Sequence, residues 1–83
     1  MFYVYILQSL KNGQVYKGFT SSLNRRLDEH MKGKCLTTKK LLPLELIHVE
    51  ICDNRLEARI LEKFLKSGYG REIIKEIAQV VKR

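Results

Sequence analysis

The sequence predicts an α+β fold: a small, mainly antiparallel three-stranded sheet with flanking helices, in the order β-β-α-β-α-α. Three observations carry this. Residues 2–8 are β-branched and aromatic without helix-period gaps, and Asn12-Gly13 follows as a hairpin turn signal. One further apolar run, 44–51, supplies a third strand. The remaining apolar residues recur at helical spacing in separate segments, so each helix has one stripe to bury against the sheet.

The first strand is Phe-Tyr-Val-Tyr-Ile-Leu-Gln, 2–8, and a shorter second strand runs from about Gln14 to Thr20. Ser21 or Ser22 can cap a helix that continues to Lys32, with Gly33 placed for a left-handed C-terminal residue. Residues 33–43 hold Gly33, Lys34, Thr37, Thr38, Lys39, Lys40 and Pro43 and read as a basic loop. Leu44 to Ile51 is the third strand. Asn54-Arg55-Leu56-Glu57 has the form of a capping box, Glu57 turning back to the Asn54 backbone, and opens a helix to about Ser67. Gly68-Tyr69-Gly70 breaks the chain, and Ile73, Ile74, Ile77 and Val81 mark one face of a last helix at about 70–82.

Length and charge narrow the class of protein. Eighty-three residues fit a single domain, 1–83, because a second core would leave each half too small to stand unaided. Sixteen Lys and Arg against nine Asp and Glu leave a net charge of +7, which points to a polyanionic partner, nucleic acid before anionic membrane. A hydrophobic content of 45% is too high for a disordered basic tail. No apolar run approaches the roughly 18 residues of a spanning helix. The N-terminal residues lack the basic segment and cleavage site of a signal peptide, and Cys35 and Cys52 are too few for a disulfide framework. A reducing, cytoplasmic setting is expected, with no membrane partner.

Side chains alternate along a strand, so Tyr3, Tyr5 and Leu7 share one face, while Tyr16, Gly18 and Thr20 go together on the second strand. If Asn12-Gly13 is a two-residue turn, Lys11 pairs with Gln14, Tyr5 lies across from Thr20 and Leu7 across from Gly18. That register leaves a bare glycine between two phenols. On the first helix Leu23, Leu27 and Met31 form the apolar stripe, and Arg26 and His30 lie on one flank of it while Arg25 points away. An arginine at that edge reaches the sheet face, where its planar fork suits a phosphate. Without a substrate, the same arginine would pair with Glu29 or His30. On the next helix Leu56, Ala58, Ile60, Leu61, Phe64 and Leu65 form a broad apolar arc, and Glu62 lies just beyond its edge, where no cap needs it. Pairing with Lys66 is the ordinary reading of that carboxylate.

Tyr3-Val4-Tyr5 followed by Tyr16-Lys17-Gly18 resembles the paired signature of the GIY-YIG endonuclease domain. Leu23-Asn24-Arg25-Arg26-Leu27-Asp28-Glu29-His30 is similar to that family's arginine-bearing helix, and Glu57 to Lys66 to its glutamate-bearing helix. The resemblance spans roughly 2–67, and within the family it is greatest to small stand-alone members that are excinuclease-like, similar to an excinuclease N-terminal domain. It implies a divalent-metal-dependent endonuclease that hydrolyses DNA phosphodiester bonds, in DNA repair or recombination. By this resemblance Tyr5, Tyr16, Arg26, His30 and Glu62 are the catalytic residues. Glu62 would hold one Mg²⁺ or Mn²⁺ ion, Arg26 would stabilise developing charge, and Tyr16 or Tyr5 would orient or deprotonate water. His30 would share in proton transfer or contact phosphate, a partly buried structural histidine being the alternative. Gly18 would leave room for substrate. The sequence departs from the family's pattern at Tyr3, which stands for the first glycine, at Lys17, which replaces an apolar residue, and at Phe19, where the excinuclease branch often has a basic one. By parity Lys17 faces away from the site and must reach an edge.

Lys34, Lys39 and Lys40, with Lys32, follow the arginine helix and fit DNA backbone contacts. Nothing in the chain offers base readout, so little intrinsic sequence specificity is expected, and a protein partner would supply targeting. His30 with Cys35 and His48 with Cys52 match no zinc spacing, and the cysteines read better as small buried hydrophobes. The alternative function is a catalytically weak or inactive nucleic-acid-binding module of the same fold; a third reading has the last helix docking a protein.

Overall fold

The computed structural model describes residues 1–81. Its elements are β1 (Phe2–Ser9), β2 (Val15–Thr20), α1 (Leu23–Met31), α2 (Leu36–Lys39), β3 (Leu44–Cys52), α3 (Arg55–Leu65) and α4 (Gly68–Val81). The strands form one antiparallel sheet in the order β2-β1-β3, so β1 is bonded on both sides. The expected α+β architecture is present, with one added element and changes of boundary and register.

The hairpin register differs by two residues from a two-residue turn. Tyr5 pairs with Gly18 and Leu7 with Tyr16. Ser9 is the cause. Its buried hydroxyl accepts from the backbone N–H of Lys11 at 3.1 Å and of Asn12 at 3.3 Å, and its own N–H donates to the Gln14 carbonyl at 2.8 Å. The loop is therefore organised from Ser9, and Asn12 acts by accepting from the Gln14 N–H at 2.9 Å. A shift of two conserves parity, so each side chain keeps the face expected of it.

Parity divides β1 between two cores. Val4 and Ile6, both 0% exposed, face α3 and α4 with Ile47, Cys52, Ala58, Leu65 and Ile74. Tyr5 and Leu7 face the opposite side with Leu41, Leu44, Leu23 and Leu27. Full burial of each aliphatic side chain contributes roughly 1.5–3 kcal/mol. On β3 the pairing slips between Ile6 and Leu7, from His48 to Leu46, which leaves Ile47 as the extra residue of a bulge. The bulge turns Ile47 into the first core while Leu44, Leu46 and Val49 all face the second.

α1 ends as expected: the Gly33 N–H donates to the His30 carbonyl at 3.1 Å and the Lys34 N–H to the Glu29 carbonyl at 3.0 Å, with Gly33 at φ +74°. Ser22 is its N-cap residue but contributes no side-chain hydrogen bond. The basic loop is not all loop. Four of its residues form α2, which turns Thr38 into the interior and leaves Lys39 and Lys40 exposed. At α3, Asn54 Oδ1 accepts from the Glu57 N–H at 2.9 Å as expected, but Glu57 returns to the Asp53 N–H at 3.1 Å rather than to Asn54.

Gly68-Tyr69-Gly70 does not break the chain; it opens α4. A Cβ on Gly70 would overlap the Phe64 carbonyl oxygen and Leu65 Cα, so this glycine lets α4 start hard against the end of α3. On α4, Ile74 is buried and Ile77 half-buried, while Ile73 is exposed. The Val81 side chain and the expected helix residue Lys82 lie outside the described residues. The broad apolar arc of α3 divides: Ala58, Leu61 and Leu65 pack inward, and Leu56, Ile60 and Phe64 form an exposed ridge. Among the described residues no helix is long and apolar enough to cross a membrane.

Candidate functional site

The site grows from the odd face of β1. Tyr5, 1% exposed, lies opposite Gly18, and Tyr16 lies opposite Leu7, so two phenols flank the glycine on one sheet face. A Cβ on Gly18 would stand 2.7 Å from the Tyr5 hydroxyl, 2.9 Å from its Cζ and 3.1 Å from Tyr16 Cε2. No side chain fits there, and the glycine is what allows the phenols to close over the strand.

α1 lays His30 onto this pair. At 100° per residue His30 falls only about 20° from Leu23 around the helix, inside the buried stripe rather than on its flank. It is 0% exposed, whereas Met31, expected in the stripe, is 40% exposed at the helix end. His30 Nε2 and the Tyr5 hydroxyl form a hydrogen bond of 2.9 Å, and His30 Nδ1 and Thr38 Oγ1 one of 2.8 Å. The ring centroids of Tyr5 and His30 are 5.5 Å apart, those of Tyr16 and His30 5.2 Å, and those of Tyr5 and Tyr16 6.3 Å. Both imidazole nitrogens are satisfied in the interior, where an unsatisfied one would cost about 1–3 kcal/mol.

Thr38 was not legible as a site residue. A helix of one turn shows no periodicity, and between Leu36 and two lysines its residues look like loop. Lys39 and Lys40 follow Thr38 directly in the chain and are exposed; Lys34, also exposed, lies just past the end of α1.

Arg26 flanks the same face. Its Nη1 donates to Glu29 Oε1 at 3.0 Å, one helical turn on. The Tyr5 hydroxyl and then the Glu29 carboxylate hold the guanidinium above its ordinary range. Burial pushes the Tyr5 phenol up to about 12, and the neighbouring Arg26 only partly offsets this. Burial also lowers His30, helped by the Arg26 charge and opposed by Glu29, so the imidazole is neutral at pH 7. Tyr16 differs from Tyr5: it is half-buried, and among the described residues its hydroxyl has no hydrogen-bond partner. Tyr5 is committed to His30. Tyr16 is available.

Glu62 is not part of this hydrogen-bonded cluster. It projects from α3, in the helix layer that packs on the other face of the sheet, is 18% exposed, and faces Lys66 Nζ at 3.5 Å. Lys17, as parity requires, is on that side too; burial lowers its ammonium, with Arg71 and Lys66 adding to the effect. The cleft at the start of α1, lined by Tyr3, Ser21, Ser22, Leu23 and Asn24, contains none of the expected site residues.

The donor set limits what metal could be held. Among the described residues no three His, Cys, Asp or Glu side chains gather into a cage. A lone, half-buried carboxylate with only a loose ammonium beside it fits a hard cation that keeps most of its waters, as Mg²⁺ does. It does not fit a structural zinc. His30 is taken by Tyr5 and Thr38, His48 Nε2 lies 3.2 Å from Glu50 Oε1, and both cysteines are free thiols. Cys52 is buried as expected and burial raises its thiol, but Cys35 is only half-buried.

A three-stranded sheet whose first hairpin closes two tyrosines over a glycine beneath an arginine-bearing helix is the design of a GIY-YIG catalytic domain. The family model of that description matches residues 1–75, and the chain belongs to this family. It is 35% identical over 78 residues to a UPF0213 protein of Haloquadratum walsbyi, covering 93% of this chain and 85% of that one. A UPF0213 protein of Streptococcus agalactiae is 34% identical over 65 residues, 77% of this chain and 73% of its own. The solution NMR structure of a UPF0213 protein from Bacillus halodurans matches with a TM-score of 0.55 and 31% identity, over 93% of this chain and 85% of the other. Membership of a nuclease domain family carries an endonuclease-like function with DNA as the substrate class.

Proposed function

We propose that the protein is a divalent-metal-dependent endonuclease that hydrolyses DNA phosphodiester bonds, acting in DNA repair or recombination. The observation that carries this reading is the convergence of Tyr5, Tyr16, Gly18, Arg26 and His30 on one sheet face, with Tyr5 and His30 joined at 2.9 Å in the interior. Those residues come from two strands and a helix, and a fold that needed only stability would have no use for so many polar groups there. The family supplies the reaction class.

Tyr16, whose hydroxyl is uncommitted, orients the attacking water. Tyr5, a neutral phenol with a value near 12, is too weak a base for that task and instead holds His30. Arg26 donates to the phosphate oxygens as charge grows on them. Hydrolysis breaks one water O–H and one P–O ester bond, and forms a P–O bond and an alcohol O–H. Glu62 is the residue that would hold the ion, which when bound acts as a Lewis acid toward the leaving oxygen. Lys34, Lys39 and Lys40 contact the DNA backbone, and Gly18 keeps the sheet surface clear for it. None of these groups reads bases, so sequence preference is low.

The test is incubation of the full chain with nicked, branched and duplex DNA, with Mg²⁺ or Mn²⁺ and with chelator. Cleavage is expected only with the cation, and Arg26→Ala or Glu62→Ala lowers its rate by about a hundredfold or more. No cleavage across the panel, or variants as active as the parent, sinks the reading. Because Glu62 is engaged with Lys66 and makes no hydrogen bond to the cluster, the second reading is a binding module that does not turn over. It is favoured by salt-sensitive DNA binding that survives Glu62→Ala without cleavage by the parent.

A further inference from the structure

We infer that the cleft between the β1–β2 loop and α4 binds a single unpaired nucleotide, its base donating to Gln8 and its phosphate meeting Lys75. The choice of a nucleotide rests on the nuclease reading above, through its DNA substrate; the cleft with its donors and acceptors does not.

The cleft has a volume of about 440 Å³, within the range of small-molecule sites. Gln8, Gly13 and Val15 form its strand wall, and Ile74, Lys75, Ala78 and Gln79 its helix wall. It lies on the sheet face opposite Tyr5, where the first core reaches the surface through Val15, Ile74 and Ala78. Two small residues keep it wide: a Cβ on Gly13 would meet nothing within 4 Å, and Ala78 adds only a methyl.

Gln8 makes the cleft more than a gap in packing. It is 8% exposed and lies directly across from Val15. Its Nε2 donates to the Gly13 carbonyl at 3.4 Å, which fixes the amide, since turned over it would set two oxygens against each other. Its Oε1 has no hydrogen-bond partner among the described residues, and no fully buried side-chain oxygen is left unpaired among them. Oε1 therefore keeps access to open space, and the space beside Gln8 is the cleft. A nine-tenths buried amide presents one acceptor there. On the opposite wall Lys75 and Gln79 stand one turn apart, both exposed, and the Lys75 ammonium makes no ion pair among the described residues.

These groups select a ligand by its parts. The Gln8 oxygen would repel a bare anion, and a wholly apolar molecule would leave that oxygen covered without a donor. A cation would meet Lys75. What fits has a flat apolar body for Val15, Ile74 and Ala78, an N–H at one edge for Gln8 and a negative group for Lys75. In DNA chemistry that is one nucleotide, since every base carries an amino or imino N–H on its pairing edge. The base must be unpaired, because in a duplex those hydrogens are given to the opposite strand. A free nucleotide and an unpaired nucleotide within a strand share this chemistry. A strand also has a path, for β2 is an edge strand on which Tyr16, on the tyrosine face, and Val15, in the cleft, are consecutive.

The experiment is ¹H–¹⁵N correlation NMR on the full chain in chelator, so that binding is read without cleavage. The probes are deoxycytidine monophosphate, deoxycytidine, inorganic phosphate and a short single-stranded oligodeoxycytidylate. The monophosphate is expected to shift the Gln8 side-chain amide and the backbone amides of Gly13, Val15 and Ala78, binding about threefold or more tighter than deoxycytidine or phosphate. Lys75→Ala is expected to weaken it about threefold or more, and Gln8→Leu about tenfold or more. Lys75 is exposed, so its variant still decides should Gln8→Leu fail to fold. Tighter binding of the oligomer at the same amides assigns the site to a strand, and tighter binding of the monophosphate to a free nucleotide; each supports the proposal. No shift at these amides with millimolar monophosphate, equal shifts with phosphate alone, or unchanged affinity in Lys75→Ala overturns it. Cleft binding by a parent that cleaves no DNA sinks the nuclease reading alone, and cleavage without cleft binding sinks this proposal alone.

Discussion

Gly18 shows how much of the site depends on one missing side chain. Tyr5 and Tyr16 were legible as neighbours because strand alternation places them on one face, and that argument survives a register change of two. The glycine between them was legible for the same reason, but its place directly opposite Tyr5 was not, since that depends on the register, and Ser9 determines it through the hairpin loop. Gly18→Ala is expected to push the phenols apart, destabilise the fold by roughly 1–3 kcal/mol in denaturant titrations and lower cleavage more than Arg25→Ala, which alters an exposed residue. His30 was legible as a candidate but placed on the flank of its helix. Three apolar residues defined the stripe, and Met31, at the fraying end, drew its centre away from His30.

At the level of elements, the three strands and the three longer helices follow from residue pattern, and α2 does not. Its four residues hold no repeat that periodicity can detect, and the bond from Thr38 to His30 that ties it to α1 is a tertiary contact no local pattern reveals. The junction of α3 and α4 failed for a related reason. Two glycines in three residues suggest a break, yet Gly70 serves close packing rather than flexibility. Gly70→Ala tests this. Although alanine favours helix by about 1 kcal/mol over glycine, the substitution is expected to destabilise the fold by about 1–3 kcal/mol, because the obstructing atoms are backbone. A denaturation midpoint raised by Gly70→Ala would refute the close-packing account. Glu62 was legible from its position outside the apolar arc of α3. That α3 packs on the face of the sheet opposite Tyr5 was not, because helix periodicity does not say which face of a sheet a helix covers.

For the whole molecule, the buried polar cluster links stability to pH at both ends. His30 faces Arg26 and Glu29 on its own helix, Tyr5 on β1, Tyr16 on β2 and Thr38 on α2. Its folded value is lowered, so as pH falls below about 6.5 the unfolded chain takes up the proton first. The stability this group contributes is complete above about 6.5 and is lost as pH falls through the folded value. Tyr5 gives the opposite limb. Raised to about 12, it leaves stability intact below the ordinary phenol value and erodes it as pH climbs toward the folded one. Denaturant midpoints measured across this range are expected to fall on both sides, with His30→Gln flattening the acid limb and Tyr5→Phe the alkaline limb. β1 carries six consecutive buried residues, Val4 to Ser9, and is bonded to a neighbour on each side. Its amides are expected to be the last of the molecule to exchange with solvent, which hydrogen-exchange measurements check. Tyr5 is built into that last-opening unit. Heat therefore has no intermediate stage at which a native remainder survives without its floor of tyrosine, and inactivation by unfolding of β1 is inactivation of the entire molecule.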